Sequence, residues 1–367
     1  MMRIVYFANR FAFEYSVELA NHALKRSEIG EVYLFLPKGF VSETQLAQLD
    51  ERVVFDYFEL PGNKKPWAMW RSFAKLTSKI KKINPDLIHV QGSAHPYFWL
   101  HYRKLKHIPL VDTIHDAEPH PGFGSFMQTY MRKKGIQHAK RWFIHGESLK
   151  ELFLKLNPTV KAQQVIVVPK GHYGIFAKYT DREIETDRNT LLFFGNITKY
   201  KGIDVLIEAS KTIIEAHPEV RFLIAGKIRD KDREEIDFSA LEGDPHFELK
   251  TYRLSDQEVA EAYLEAGQIV MPYKEASQSG VLSIAFGMGK AVIASEVGAL
   301  PEIIEHDKNG LLVRPGDSAA LAEAAISLLK DPKKAMTFET ASKRYAEKHL
   351  SWDEVLEKCT MAYKELI

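Results

Sequence analysis

The sequence predicts an α/β protein built from two doubly wound domains, each with a parallel β-sheet. The chain has 367 residues, more than the roughly 250–300 residues at which a single hydrophobic core stops growing. Apolar, strand-like runs alternate with amphipathic helical patterns, which is typical of right-handed βαβ units. Several runs are apolar throughout, as in strands buried on both faces of a parallel sheet. Ligands of such sheets bind at the carboxyl ends of the strands, so we expect a site in a cleft between the domains.

The first domain is predicted over residues 1–178. Apolar runs rich in β-forming residues predict its strands, and amphipathic stretches between them predict its helices. The strands are Arg3–Ala8, Val32–Leu36, Val53–Phe58, Asp86–Val90, Leu110–Ile114, Trp142–His145 and Val165–Val168. The clearest helical stretches are Glu14–Lys25, Trp67–Ile83 and Phe123–His138.

A polar segment, Lys178–Thr190, interrupts this alternation and predicts a linker. The alternation then restarts, which predicts a second domain over residues 190–350. Its strands are Leu191–Phe194, Arg221–Ala225, Phe247–Leu249, Ile269–Met271, Ala291–Ala294 and Leu311–Val313. The chain ends in three helical stretches, Ala319–Lys330, Pro332–His349 and Trp352–Ile367.

The composition is that of an ordinary globular protein, with 45% hydrophobic and 27% charged residues. No apolar run reaches the roughly 18 residues of a membrane span, and the N-terminus lacks the pattern of a signal peptide. Cys359 is the only cysteine, which excludes an internal disulfide and cysteine-based metal sites. A net charge of +1 argues against a nucleic-acid partner. We therefore expect a cytoplasmic protein.

The sharpest local signal is the segment Gly195–Gly202, which follows the apolar strand Leu191–Phe194 and precedes a helical pattern. Glycine lets the backbone approach a ligand closely. A helix N-terminus offers unpaired N–H groups and a partial positive charge, to which Lys199 and Lys201 add full charges. These features predict a diphosphate site, although an ordinary strand–turn–helix with solvated lysines has the same pattern.

A second segment has a similar layout. The strand that ends at Pro272 is followed by a loop of small residues, Ala276–Gly280, which opens the next helix. This helix N-terminus suits an anion or a sugar hydroxyl, and Glu275 is placed to accept hydrogen bonds from hydroxyl groups. Ser277 and Ser279 also fit plain helix capping.

With their spacing, these two segments resemble the C-terminal domain of the retaining family 4 glycosyltransferases (glycosyl transferases group 1), which have the GT-B fold. Shorter matches occur in the right order along nearly the whole chain. They are Pro85–Val90, Asp112–Asp116, Ile144–Gly146, Val168–Gly171, Ala225–Lys227, Gly298–Glu302 and Asn309–Val313. The resemblance implies two Rossmann-like domains that face each other across a cleft, with the last helix, residues 352–367, packed back on the first domain.

The resemblance also implies which residues bind the donor, a nucleotide-diphosphate sugar. Lys201 keeps the family's lysine position at the diphosphate and is assigned a catalytic role. Asn196 stands where the family usually has arginine, and Lys199 would replace the missing charge. The donor-binding set is Gly195, Asn196, Lys199, Gly226, Glu275, Ser277, Ser279, Gly280 and Val281.

The chain departs from the family pattern at positions that affect the choice of donor. The family's paired glutamates, eight residues apart, align with Ala276 and Ile284, and neither is acidic. The variant loop Ser277–Val281 resembles a subgroup that uses backbone amides here. The first N-terminal loop often carries a glycine pair, whereas this chain reads Asn9–Phe13. The sequence therefore does not predict which sugar the donor carries.

His115 ends a predicted buried strand, and the resemblance places it beside the transferred sugar as a second catalytic residue. There it would bind a hydroxyl and stabilise developing positive charge. Asp116 and His120 would shape the acceptor side. Two other interpretations stay open: a histidine satisfied by neighbouring backbone, and a metal site that includes Asp112. A strand and its exit loop do not readily bring Asp112 and Asp116 together, which disfavours the metal.

Asp230 and Asp232 form a D-x-D pair, which holds a divalent metal in the other large glycosyltransferase fold. Here the pair lies in a charged stretch that opens a helix, where acidic side chains favour the helix dipole. We therefore expect no metal and no cofactor, because the basic loop and two helix N-termini would stabilise the leaving diphosphate. The resemblance implies attack from the same face of the sugar, with the leaving phosphate accepting the acceptor's proton.

The first half of the chain is locally cationic. From Gly62 to Lys82 there are seven lysine or arginine residues and no acid, together with Trp67, Trp70 and Phe73. Such a segment suits peripheral contact with an anionic membrane or with a lipid-diphosphate acceptor. A solvated helix face with aromatic residues in the core is the other interpretation.

These observations predict a retaining hexosyltransferase. It would move a sugar from a nucleotide-diphosphate sugar to a glycan or lipid-linked acceptor, in the synthesis of a cell-surface polysaccharide or glycolipid. Two alternatives remain. The missing glutamates suggest a nucleotide-sugar-binding protein without transferase activity, and an epimerase of the same fold would act on a nucleotide sugar without an acceptor.

Overall fold

The computed structural model describes residues 1–8, 12–61, 65–92, 95–117, 133, 135–228, 232, 236, 238–239 and 241–367. These residues form two compact units. The first comprises Met1–Pro169 and Trp352–Ile367, and the second comprises Lys170–Ser351. Each unit contains one parallel β-sheet with helices around it. The predicted class, two parallel-sheet α/β domains, is confirmed.

The sheet of the first unit has seven strands. They are β1 (Met2–Ala8), β2 (Ile29–Pro37), β3 (Val54–Phe58), β4 (Leu87–Gln91), β5 (Leu110–Ile114), β6 (Arg141–Ile144) and β7 (Val165–Val167). Their order in the sheet is β3-β2-β1-β4-β5-β6-β7, and every neighbouring pair is parallel. All residues of β4 and β5 are buried, which explains why these strands are mostly apolar in the sequence.

The helices of the first unit are α1 (Phe13–Ala23), α2 (Glu43–Leu46), α3 (Pro66–Ile83), α4 (Pro96–Tyr102), α5 (Glu147–Leu156) and, from the chain end, α11 (Trp352–Lys364). Helix α11 packs against α1, where the Trp352 ring lies 5.1 Å from Tyr15 and 5.9 Å from His22. At its other end Lys364 lies 3.0 Å from Glu28. Most of the predicted helix Phe123–His138 falls outside the described residues.

A buried polar cluster joins α11 to the centre of the first sheet. The Nδ1 atom of His89 lies 2.6 Å from the hydroxyl of Tyr363, and its Nε2 atom lies 2.7 Å from that of Thr113. Desolvation, with a smaller contribution from the charge of His145, lowers the pKa of His89 to about 3. The imidazole is therefore neutral in this buried cluster.

The sheet of the second unit has six strands. They are β8 (Asp187–Phe194), β9 (Arg221–Ala225), β10 (Phe247–Lys250), β11 (Ala266–Met271), β12 (Ala291–Ser295) and β13 (Leu311–Val313). Their order is β10-β9-β8-β11-β12-β13, again parallel throughout. From β8 the chain adds β9 and β10 on one side of the sheet, and from β11 it adds β12 and β13 on the other side. The order of strand addition therefore reverses between β8 and β11. In doubly wound sheets ligands bind at this reversal, outside the carboxyl ends of the strands.

The helices of the second unit are α6 (Ile203–Ala216), α7 (Asp256–Glu265), α8 (Gly280–Gly287), α9 (Ser318–Lys330) and α10 (Pro332–His349). Short 3₁₀ turns cover Gly174–Lys178, Lys199–Lys201 and Leu300–Glu302. Helix α9 packs on α6, and α10 packs on α8. The core between them and the sheet is made of apolar residues such as Leu206, Phe222, Ile293 and Leu321.

The structure differs from the sequence analysis at the start of the second unit. Strand β8 begins at Asp187, so the last four residues of the predicted linker Lys178–Thr190 form a strand. They can do so because the Asp187 carboxylate accepts hydrogen bonds from the backbone of Asn189 and the hydroxyl of Thr190. The turn Gly174–Lys178, expected in the first domain, lies in the second unit, where the Tyr173 N–H bonds to the Ser283 carbonyl.

Among the described residues, no helix is both long enough and apolar enough to span a membrane. The longest of the described helices, α3 and α10, each carry several lysines along 18 residues. Such a helix would bring charges into the hydrocarbon region.

Candidate functional site

Two loops meet at the carboxyl edge of the second sheet. The first loop, Gly195–Gly202, joins β8 to α6, and the second loop, Pro272–Ser279, joins β11 to α8. Because β8 and β11 are parallel neighbours, both loops leave the same edge of the sheet at its topological reversal. The Lys274 N–H bonds to the Tyr200 carbonyl at 2.8 Å and so connects the two loops directly.

Glycine is required at two close backbone contacts along this edge of the sheet. At Gly202, φ is +69°, and an added Cβ would stand 1.8 Å from the carbonyl oxygen of Pro272. At Gly226, φ is +142°, and an added Cβ would stand 2.0 Å from the carbonyl oxygen of Gly195. L-residues with a side chain rarely adopt these angles, and no side chain fits these spaces. The two glycines therefore allow the backbone segments to approach each other closely at this edge of the sheet.

Lys201 is directed into this edge. Its Nζ lies 2.5 Å from the point where a Cβ on Gly195 would stand, and Val281 Cγ2 lies 3.5 Å from the same point. The ring of Tyr273 lies 5.1 Å from the ammonium, close enough for a cation–π interaction. Burial lowers the pKa of Lys201, and the nearby Tyr200 opposes this shift.

No carboxylate forms an ion pair with Lys201 among the residues that the structure describes. The lysine of the second loop, Lys274, instead forms an exposed ion pair with Asp204 of α6. A desolvated ammonium without an acidic partner is electrostatically unfavourable by itself. The arrangement is favourable when an anion occupies the space beside Lys201.

The start of α8 completes the site. Ser279 caps this helix, because its hydroxyl oxygen accepts a hydrogen bond from the Leu282 N–H at 3.4 Å. The capping role given as an alternative for Ser279 is thus present. The Ser277 carbonyl accepts a hydrogen bond from the Ala299 N–H at 3.0 Å, which holds the loop against the next strand connection. The first N–H groups of α8, with the positive end of its dipole, remain suited to an anion.

Thr198, within the first loop, is buried to 1% exposure, and its hydroxyl has no hydrogen-bond partner in the part of the chain that the structure describes. A buried hydroxyl without a partner costs free energy. In a loop that also holds Lys201, this unpaired group is consistent with a polar ligand or water at the site.

Three of the predicted donor-binding side chains are exposed to solvent. Asn196, Lys199 and Glu275 are exposed on the surfaces of their loops. The backbone of Glu275 bonds weakly to the Tyr200 carbonyl at 3.4 Å, whereas its carboxylate faces solvent. The structure therefore brings together Gly195, Lys201, Gly226, Ser279, Gly280 and Val281, whereas these three side chains are exposed.

His115 lies in the first unit, directly after β5. Its ring lies 5.1 Å from the ring of Tyr15 in an edge-on contact and 5.1 Å from the ring of His145. His145 is itself held by the Val168 carbonyl, 3.2 Å from its Nδ1. Asp116 follows His115 and is partly exposed, and His120 lies outside the described residues.

A metal site does not form among the described residues, which contain no group of three or more histidine, cysteine, aspartate or glutamate side chains arranged to hold an ion. His120 and Asp230, two members of the metal interpretations, lie outside this part of the chain. Asp232 is described and is buried.

Sequence reasoning missed the contribution of Tyr273. This tyrosine lies two residues after the end of β11 and supplies the aromatic face beside Lys201. Burial raises the pKa of its hydroxyl, and the nearby Ser279 side chain opposes the shift. An aromatic residue shortly after the end of a buried strand is a signal that reasoning from charge and glycine alone overlooks.

Comparison with known proteins identifies the family. The family model described as Glycosyltransferase Family 4 matches residues 14–172, and that described as Glycosyl transferases group 1 matches residues 188–331. An uncharacterized glycosyltransferase of Methanocaldococcus jannaschii is 30% identical over 325 residues, which cover 81% of this chain and 80% of that protein. The glycogen synthase of Mycobacterium tuberculosis is 22% identical over 81% of this chain and 74% of its own. The chain belongs to the family 4 (group 1) glycosyltransferases.

Solved structures show the same fold. Anabaena HepE in complex with UDP and glucose superimposes with a TM-score of 0.74 at 17% identity, covering 99% of this chain and 100% of that chain. Sucrose-phosphate synthase from Thermosynechococcus elongatus also has a TM-score of 0.74, at 16% identity and 99% coverage of both chains. The fold is therefore that of the GT-B glycosyltransferases, as the resemblance implied.

Proposed function

We propose that this glycosyltransferase moves a sugar from a nucleotide-diphosphate sugar to a glycan or lipid-linked acceptor and retains the anomeric configuration. The observation that carries the proposal is the Lys201 ammonium, which lies against Gly195 and the start of α8. The complex of HepE with UDP and glucose, a protein of the same fold, supports a nucleotide-sugar donor. Synthesis of a cell-surface polysaccharide or glycolipid is the setting that such an acceptor implies.

The chemistry requires stabilisation of a leaving diphosphate. The bond between the anomeric carbon and the diphosphate oxygen breaks, its electron pair goes to the diphosphate, and a bond to the acceptor oxygen forms. Lys201 and the first N–H groups of α8 would neutralise the charge that develops on the leaving group. Because these groups are cationic or dipolar, the proposed reaction uses no metal.

His115 and its neighbours would act on the sugar and the acceptor. We assign His115 to a hydroxyl of the transferred sugar, with Asp116 and His120 on the acceptor side. The ring contacts of His115 with Tyr15 and His145 fix its orientation, which is a precondition for such a role. The acceptor hydroxyl would pass its proton to the leaving phosphate, so no protein carboxylate serves as the nucleophile or base.

The reaction is tested with a panel of nucleotide-diphosphate sugars, a membrane lipid extract as acceptor, and release of nucleoside diphosphate as the readout. One donor is expected to give release of nucleoside diphosphate that depends on the acceptor. The rate of release should be the same with and without EDTA. The NMR signal of the product's anomeric proton should show the same configuration as in the donor. In the same assay His115→Ala should slow release at least tenfold while nucleotide affinity changes little.

Each alternative gives a different result in this panel. Binding of a donor without release from any acceptor indicates a binding protein. Conversion of one nucleotide sugar into another without an acceptor indicates an epimerase, whose fold is also close, as shown by a putative UDP-N-acetylglucosamine 2-epimerase from Listeria monocytogenes with a TM-score of 0.67. Loss of release in EDTA contradicts the metal-free proposal.

A separate surface supports peripheral contact with an anionic membrane, which we also propose. Helix α3 begins at Pro66, whose fixed φ suits a first helical position, and ends at Asn84 in the left-handed conformation. Its buried stripe includes Phe73 and Ile80, whereas Trp67 is 80% exposed and Trp70 is 42% exposed. Of the two interpretations of its aromatic residues, the core fits Phe73 and the surface fits the tryptophans.

Cations lie on the same face as Trp67. Arg71 and Lys75 follow it at successive four-residue steps, so the three side chains form one row along α3, and both cations are exposed. Leu100, on the neighbouring helix α4, is 49% exposed. Exposed tryptophan beside lysine and arginine suits the boundary between lipid headgroups and acyl chains, where each cation contributes about 1 kcal/mol on an anionic surface.

Membrane contact is tested by flotation with vesicles of phosphatidylcholine, alone or with phosphatidylglycerol. The wild-type protein should float with the anionic vesicles only, less at high salt, and the double variant Trp67→Ser, Lys75→Gln should lose about tenfold in binding. Met361→Ala is the matched control, since Met361 is 63% exposed on a different helix of the same unit. Equal binding of the double variant and the wild type would contradict this surface.

A further inference from the structure

The ring of Tyr15 lies at the centre of a group of aromatic side chains in the first unit. Its centroid lies 5.1 Å from that of His115 and 5.1 Å from that of Trp352, and both contacts are edge-on. It also lies 5.3 Å from the ring of His145 in a tilted contact. Aromatic rings attract each other at such angles when their centroids are about 4.5–7 Å apart. We call these four residues the Tyr15 cluster.

Two members of the Tyr15 cluster are firmly held by helices. Tyr15 belongs to α1 and is 2% exposed, and Trp352 begins α11 and is 3% exposed. The two helices pack on each other, and the Trp352 ring also stacks on that of His22 in α1, at 5.9 Å. Side chains packed at the density of a protein interior have little room for another rotamer. These two rings therefore give the cluster a rigid frame.

His115 depends on its neighbours for its orientation. Strand β5 ends at Ile114, so His115 lies just past the strand, and its side chain is only half-buried. The rings packed against such a side chain decide its direction. His145 supports it on one contact, at 5.1 Å, and Tyr15 supports it edge-on.

Both supports of His115 lead to the points where the chain passes between the two units. Val168, whose carbonyl lies 3.2 Å from the Nδ1 atom of His145, is the next-to-last residue of the first segment of the first unit. Trp352, which contacts Tyr15, is the first residue of its second segment. A substitution at Trp352 should therefore reach His115 although the two residues lie far apart in the sequence.

We propose that Trp352, acting through Tyr15, is a positioning residue that sets the orientation of the His115 ring toward the transferred sugar. The proposal rests on the proposed function, because it requires that His115 acts on this sugar. Misplacement of a reacting group lowers the rate of a reaction even when the substrate still binds. Changes at Tyr15 and Trp352 should thus lower the rate of transfer, and leave unchanged the affinity for the nucleotide, which is assigned to the second unit.

The orientation is tested by NMR of the full-length protein labelled with ¹³C at histidine Cε1. The signal that is absent from His115→Ala identifies His115. Tyr15→Leu and Trp352→Leu should shift and broaden this signal, and Tyr15→Phe, which keeps the ring, should restore most of its position. Phe153→Leu is the matched control, since it removes a fully buried ring from α5 of the same unit. Trp352→Phe serves if Trp352→Leu does not fold. A His115 signal that stays at its wild-type position in the folded Trp352 variants would overturn the proposal.

The effect on transfer is tested with the donor and lipid acceptor that the panel of nucleotide sugars identifies. Tyr15→Leu and Trp352→Leu should each lower kcat about fivefold and change the KM for the donor less than about twofold. Tyr15→Phe should recover most of the loss, and Phe153→Leu should keep the wild-type kcat. In a His115→Ala background the same two substitutions should cost less than about twofold, because the group that they position is gone.

Failure of this inference and failure of the proposed function give different results. Equal losses of kcat with and without His115 would overturn the inference in favour of a general effect on the fold, and would leave the transferase in place. Wild-type kcat in His115→Ala would overturn the inference together with the role of His115. Release of nucleoside diphosphate from no donor by the wild type would overturn the proposed function, and the NMR comparison would then uphold or overturn the orientation of His115 by Trp352.

Discussion

Replacement of Lys201 by alanine is expected to lower the rate of sugar transfer by about a hundredfold or more and to leave the fold intact. The reason is electrostatic: a preorganised cation in a desolvated position stabilises charge on a leaving group far better than one in water. Lys201 has such a position, because burial lowers its pKa and its neighbours are Gly195, Val281 and Tyr273. Acceptor-dependent release of nucleoside diphosphate measures the effect.

Lys199 provides the matched control for this prediction. It belongs to the same 3₁₀ turn, but its side chain is exposed. Water screens an exposed charge, so Lys199→Ala should reduce transfer only a few-fold. Circular dichroism and the unfolding midpoint of Lys201→Ala should match the wild type. Full activity of Lys201→Ala, or equal losses in the two variants, would contradict the assignment of the diphosphate to Lys201.

Gly202→Ala is expected to lower the free energy of unfolding by about 3 kcal/mol or more and to abolish donor binding. Two costs add at this position. The backbone has a φ of +69°, which costs an alanine about 1 kcal/mol, and the new Cβ would stand 1.8 Å from the Pro272 carbonyl oxygen. The clash of this Cβ with the carbonyl oxygen would force apart the two loops that form the site. Urea unfolding and nucleotide titration measure the two effects.

Gly316 separates the two costs. It lies in the same unit with a φ of +78°, and nothing stands within 4 Å of its missing Cβ. Gly316→Ala therefore has the backbone cost without the clash, and should lose about 1 kcal/mol with normal donor binding. If the two variants lose the same stability, the contact between Gly202 and Pro272 does not hold the loops together.

Most of the fold could be predicted because most of its strands coincide with apolar runs in the local sequence. Buried parallel strands such as Arg221–Ala225 are nearly continuous apolar runs, and this strand was predicted with its observed limits. The start of β8 at Asp187 was missed because polar residues there are stabilised by contacts along the strand and with Arg221, not by an apolar pattern. The local pattern of apolar residues indicates which segments are buried. It does not indicate polar contacts of this kind.

The site was predictable only in part, for a similar reason. Gly195, Lys201 and Gly202 lie in one short segment whose glycines and charges are visible in sequence, and the structure gathers them with the start of α8. Tyr15 and Trp352 lie in the first and the last helix of the chain, so their contact appears only in the folded chain. Glu275 was included for its chemistry, and the structure leaves its carboxylate in solvent because the backbone there turns to bond Tyr200.

The most direct test of the proposed site is hydrogen exchange of the full-length protein with and without saturating nucleoside diphosphate. The account predicts that the amides of residues 195–202 and 276–283 gain protection, and that Lys201→Ala reduces this gain at the same ligand concentration. Protection confined to other parts of the chain, with no change in these two loops, would contradict diphosphate binding at the junction of β8 and β11.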